Sequence, residues 1–220
     1  MAGVVLVHGA WHGAWCWGPV VEALERRGVE VAAVELPLSG FLDDVRVARE
    51  AAGAMGPDTV LVGHSYGGLV ISEAAVDLPS VSRLVYVTAF MSEAGEDATA
   101  ILTDYGSAVM EAVEITDAGV IVDADAAPAL FYGDSDRWVG AAYAARLRPM
   151  PLEPLVQRSE PAWTSTPSTY VVCTNDRVLP PEAQRWMASR ADEIVEIHTD
   201  HSPFMTQPDV LADLVVAHLP

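Results

Sequence analysis

Six short apolar runs punctuate the chain: Val4–Val7, Val29–Val34, Thr59–Val62, Arg83–Val87, Thr169–Cys173 and Ile194–Ile197. Most are continuous rather than alternating, the pattern of strands covered on both faces of a parallel sheet. Between them lie segments with helical spacing. Pro19 to Arg27 stops at Gly28, Tyr66 to Asp77 ends before Pro79, and Asp209 to His218 follows Pro208. Pro181 to Arg190 opens on prolines, which suit a first helical turn. This alternation predicts an α/β fold with right-handed crossovers: a mostly parallel six-stranded sheet flanked by helices.

The alternation breaks between Phe90 and Thr166, a stretch rich in Ala, Asp and Pro with no evident strand. A few inserted helices are expected there. Ligands of open α/β sheets bind beyond the carboxyl ends of the strands, where such an insertion emerges, so it reads as a small helical cap over a pocket. The expectation is one domain over residues 1–220, with a core of 1–89 and 167–220 and a cap of about 90–166.

Charge narrows the partners. With 31 acidic and 12 basic side chains the formal net charge is −19, which repels nucleic acid and anionic membrane surfaces. Neither is expected as a partner; a small molecule is, and a homodimer stays open. The acids are scattered, as on a solvated surface rather than an interaction tail. Cys16 and Cys173 sit in apolar surroundings and read as reduced core residues. Val4–Val7 is too short for a signal-peptide core or a membrane span, so a cytoplasmic location is the default expectation.

The sharpest motif is Gly63-His64-Ser65-Tyr66-Gly67-Gly68, placed between a strand and a helix. A nucleophile elbow needs this context: the turn is so tight that the flanking positions must lack bulk, and it lifts the Ser65 hydroxyl to a helix N-terminus. A serine needs a base. Of the six histidines, His8 and His12 precede the serine, His64 should point away across the turn, His218 lies in the terminal helix, and His198, which caps the last strand, is the main rival to His201. His201 lies in the loop after the last strand, which can carry an imidazole over the sheet edge. The acid should follow the penultimate strand, and Asp176 does; the plain alternative for it is a turn or capping role. Asp134 and Asp136 are expected to be solvated cap residues. The amides of Tyr66 and Ala10 are the candidate oxyanion donors, with His8 bracing the loop that carries Ala10. No metal or cofactor is called for. Trp11, His12, Phe90, Met91, Phe131, Trp163 and Met205 are candidates for lining an apolar pocket, against core packing as the bland reading.

These residues resemble a known family. Val5-Leu6-Val7-His8-Gly9-Ala10-Trp11-His12-Gly13-Ala14-Trp15 is similar to the opening of the plant methylesterase and hydroxynitrile lyase branch of the α/β-hydrolases. Phe131-Tyr132, Val171 to Asp176, Pro180 and Gln184-Arg185-Trp186-Met187 extend the likeness over nearly the whole chain. The resemblance implies the same triad and oxyanion residues and a helical cap over an apolar pocket. Lyases of this branch carry a lysine after the catalytic histidine and a threonine at the position of Ala10; here Ser202 follows His201. Both differences favour ester hydrolysis over cyanohydrin cleavage. The expectation is a serine esterase acting on a small, largely apolar or aromatic ester. The alternatives are a lyase on the same triad and a ligand-binding protein on a hydrolase scaffold.

Overall fold

A computed structural model describes residues 2–153 and 155–219. Six strands form one parallel sheet: β1 (Gly3–Val7), β2 (Glu30–Val34), β3 (Thr59–Ser65), β4 (Val81–Ala89), β7 (Ser168–Cys173) and β8 (Glu193–Ile197), in the order β2-β1-β3-β4-β7-β8. The apolar strands β1, β3 and β7 are wholly buried. Glu30, Glu193 and Glu196 expose the edge strands β2 and β8. Continuous apolar sequence thus marks the centre of the sheet, where both faces carry helices.

Helices α1 (Gly18–Arg26) and α9 (Pro208–Val216) pack on each other, as do α2 (Phe41–Met55) and α3 (Gly67–Ala74). Helix α7 (Pro181–Ala188) packs on β7 and α8 (Pro203–Thr206) packs on α9. The 15-residue α2 is absent from the sequence expectation. Its buried stripe is Phe41, Asp44, Val45, Ala48 and Ala52, which has helical spacing but little bulk and a carboxylate in it.

The segment between β4 and β7 holds α4 (Ala98–Asp104), α5 (Ala127–Phe131) and α6 (Arg137–Ala144). It also holds an antiparallel hairpin, β5 (Val113–Thr116) with β6 (Gly119–Val122), which corrects the reading of this stretch as helical throughout. The hairpin is rich in β-branched residues and turns at Asp117-Ala118, with Gly119 at φ 116°. That left-handed backbone is open to glycine without strain. Among the described residues no helix is long and apolar enough to cross a membrane.

Candidate active site

Strand β3 runs three residues past its apolar core and ends on Ser65, whose φ is 52°. A left-handed serine is strained, and it persists only where its surroundings fix it. A β-carbon on Gly63 would lie 2.6 Å from the Gly67 carbonyl oxygen, and one on Gly67 would lie 2.7 Å from that of Val7. The turn is pressed against its own helix and against the end of β1. The Phe90 amide donates to the Ser65 carbonyl at 3.1 Å and ties the elbow to the end of β4.

His201, in the loop between β8 and α8, is buried beside this elbow. Its ring lies 4.6 Å from that of His64, centroid to centroid, and His64 Nε2 donates to the His201 carbonyl at 2.8 Å. His64 therefore supports the His201 loop. His201 Nδ1 donates to Asp176 Oδ2 at 2.6 Å, which leaves Nε2 with the lone pair.

Asp176 is wrapped in donors. Oδ1 accepts the amides of Val178 (2.7 Å) and Leu179 (3.0 Å). Oδ2 accepts the Thr88 hydroxyl, and Gln184 Nε2 at 3.2 Å, besides His201. The turn-capping role and the histidine-orienting role thus coexist, one on each oxygen. Thr88 and Gln184 were not singled out as chemistry in the sequence. Thr88 carries a signal only in its backbone, a φ of 38° in a β-branched residue, which marks a held conformation.

The other buried histidines are committed elsewhere. His8 Nδ1 donates to the Gly9 carbonyl at 2.8 Å and its Nε2 accepts the Leu36 amide at 3.0 Å, so it braces the loop after β1. His12 Nδ1 donates to the Ala10 carbonyl at 2.7 Å, and the Tyr132 hydroxyl donates to its Nε2 at 2.9 Å. Burial lowers His8 to about 4 and His12 to about 3, and drives His64 well below its ordinary value. All three are neutral near pH 7. His198 is exposed on Thr174 and His218 is tied to Thr169.

Ser65 opens into a narrow cavity of about 30 Å³, lined also by Ala10, Trp11, Tyr66 and Phe90. Among the described residues the amides of Ala10 and Tyr66 donate no hydrogen bond. Trp11, Leu102, Val109 and Leu155 continue from this cavity into an apolar groove of about 240 Å³ under the hairpin, whose walls include Val113, Val120 and Met150. Trp11 stands between the two. Its Nε1 donates to the Val120 carbonyl at 3.0 Å, and its own carbonyl accepts the Arg148 amide at 2.7 Å.

Of the residues expected at the pocket, Trp11 and Phe90 are there. His12 and Phe131 are buried behind it, with the Phe131 ring 5.4 Å from His12 and 5.8 Å from His201. Met91 is buried and offers only its carbonyl, to Arg190. Trp163 borders a separate depression with Glu93 and Glu160. Met205 packs against the core from α8. Aromatic type could not tell a wall from a core position. The groove is instead mostly aliphatic, and its walls include the hairpin residues Val113, Ile115 and Val120, which the sequence reading passed over.

The sequence matches the alpha/beta hydrolase family over residues 4–214. The chain belongs to that family. Among curated proteins this family member is similar to Methylesterase 1 of Arabidopsis thaliana, at 29% identity over 95% of this chain and 92% of the relative. It is also similar to the alpha/beta hydrolase nvfD of Aspergillus novofumigatus, at 31% over 96% and 94%. Among solved structures, tomato methylketone synthase I complexed with 2-tridecanone matches with a TM-score of 0.84 and 28% identity, over 98% of this hydrolase-family chain and 96% of that one. The plant methylesterase likeness read from the opening and closing motifs is thus met over the full length.

Proposed function

We propose that this protein is a serine esterase that cleaves a small, largely apolar carboxylic ester through an acyl-enzyme on Ser65. The observation that carries the reading is the 2.6 Å bond from His201 to a buried, fully hydrogen-bonded Asp176, in a loop packed on the elbow. The Ser65 hydroxyl attacks the ester carbonyl carbon while its proton passes to His201 Nε2. Asp176 holds the ring and balances the imidazolium. The Ala10 and Tyr66 amides take up the oxyanion, each such donor typically contributing ~3–4 kcal/mol to the transition state. Collapse breaks the C–O bond, and the alcohol leaves with the proton from Nε2. A water, deprotonated by the same nitrogen, then attacks the acyl carbon; the acid departs and the proton returns to Ser65.

The two-part pocket supports an ester with one small end at Ser65 and a longer apolar end in the groove. Ser65→Ala should lower kcat/KM on a chromogenic ester by roughly three orders of magnitude or more with the fold intact, and a serine-directed phosphonate should leave its adduct on Ser65. Undiminished turnover by that variant overturns the assignment.

A further inference from the structure

The two loops that carry Asp176 and His201 leave adjacent strands, β7 and β8, whose ladder ends at Cys173 and Ile197. Two further bonds run beyond it: Thr174 N to Ile197 O at 2.9 Å and Asn175 N to Thr199 O at 3.0 Å. Among the described residues no further main-chain bond joins the two loops. A residue of the cap bridges them. Asp134, between α5 and α6, accepts Asn175 Nδ2 on Oδ1 at 2.8 Å and the Asp200 amide on Oδ2 at 2.7 Å. Asn175 directly precedes Asp176 and Asp200 directly precedes His201. The Asp134 amide donates back to Asp200 Oδ2 at 2.9 Å, and Asp200 Oδ1 accepts the Ser202 amide at 2.9 Å. All four carboxylate oxygens of this acidic pair thus face N–H donors, which makes it a hydrogen-bonded staple and not a cation cage.

We propose that Asp134 is a positioning residue: from the cap, its carboxylate holds the acid-bearing and base-bearing loops at the spacing that the Asp176–His201 contact needs. The inference rests on the esterase reading for its kinetic consequence but not for its structural one. Asp134 touches neither Ser65 nor the pocket, so its removal acts on the geometry of the catalytic pair rather than on substrate affinity. Small displacements of a proton-transfer pair are costly in rate. The side chain is exposed, so removing it opens no cavity in the core.

The test compares the full chain with Asp134→Ala, Asp134→Asn and Asn175→Ala. The readouts are ester kinetics, thermal unfolding and the downfield proton resonance of His201 Nδ1–H in the bond to Asp176. For Asp134→Ala the expected result is a kcat lowered about tenfold or more at nearly unchanged KM, with that resonance shifted or broadened. Asp134→Asn keeps one acceptor and puts an NH2 against the other donor, so it should fall between. Asn175→Ala removes one bond alone and serves if Asp134→Ala fails to fold. An unchanged Nδ1–H resonance overturns the proposal whatever the activity. So does a loss that appears only in KM. Failure of the esterase reading is seen separately, in a Ser65→Ala variant that keeps its activity.

Discussion

The Tyr66 hydroxyl donates to the buried carboxylate of Asp44, on α2, at 2.8 Å. The other Asp44 oxygen accepts the Leu38 amide at 2.9 Å, at a turn where Leu38 has a φ of 51°. One carboxylate therefore joins the turn after β2 to the residue that follows Ser65. Burial raises the Asp44 carboxyl above its ordinary range, and burial together with the neighbouring carboxylate drives the Tyr66 phenol up. The phenol keeps its proton and its role as donor. Removing that donor leaves Asp44 with one partner in the interior. Tyr66→Phe should lower stability by ~1–3 kcal/mol, the cost of an unsatisfied buried group, read by urea unfolding at pH 7. An unchanged midpoint would show that the pair contributes nothing.

The same raised carboxyl sets a sign for pH. A folded state that holds a proton on Asp44 more tightly than the unfolded chain gains stability as pH falls and loses it as pH rises past the ordinary carboxylate value. Asp44→Asn abolishes that titration and can still accept from Leu38. Between pH 4 and neutrality, the stability of the parent relative to Asp44→Asn should decline as pH rises. A flat or rising difference would contradict the burial cause.

The histidines act in the opposite direction. His8 and His12 are lowered to about 4 and about 3 by burial, so the unfolded chain takes up protons below about pH 6.5 that the folded chain refuses. Their contribution is complete above that value and is lost as pH falls. His12→Asn can still donate to the Ala10 carbonyl. Its unfolding free energy should fall less steeply between pH 6.5 and 4, by about 1.4 kcal/mol per pH unit for one histidine. Equal slopes in parent and variant would show that His12 is not the group refusing the proton.

Legibility in the sequence followed how local each feature is. The central strands were readable because burial on both faces leaves unbroken Val and Leu runs. Ser65, His201 and Asp176 stood out by their places after strands, before the structure put the last two 2.6 Å apart. Helix α2 escaped because its stripe is made of small residues around Asp44, a polar position whose partners, Leu38 and Tyr66, lie in other elements. Thr88 and Asp134 escaped for the same reason. Each acts through a contact distant in sequence, Thr88 with Asp176 and Asp134 with Asp200, and no spacing rule reaches that far. The hairpin was missed because its short strands lie among Ala, Asp and Pro, where alternation over four residues is a weak signal.

The elbow allows a steric test. A β-carbon on Gly67 would stand 2.7 Å from the Val7 oxygen and 2.8 Å from the His8 oxygen, both main chain. Neither can yield without moving the end of β1 and with it the loop that carries Ala10. Gly67→Ala should cost ~1–3 kcal/mol of stability from overpacking and reduce kcat more than KM, because Ser65 and the Ala10 amide move apart. A variant with parental stability and turnover would mean that the turn is looser than this packing implies.

On the proposed esterase reading, the groove beneath the hairpin receives the longer arm of the ester. Val113 lines it from β5 and is only half-buried, so a larger side chain there can fill the groove while suiting a strand. The cavity at Ser65, about 30 Å³, has room for little beyond a methyl or acetyl end, whereas the groove of about 240 Å³ can take a longer apolar arm. In a chromogenic ester series of increasing acyl length, Val113→Trp should depress kcat/KM for the longer acyl chains by about tenfold or more, since each lost methylene contact counts for ~1–3 kcal/mol. Acetate esters should be cleaved at nearly the parental rate. If short and long acyl chains lose equally, the groove does not receive the acyl arm and the hairpin serves only to cover the core.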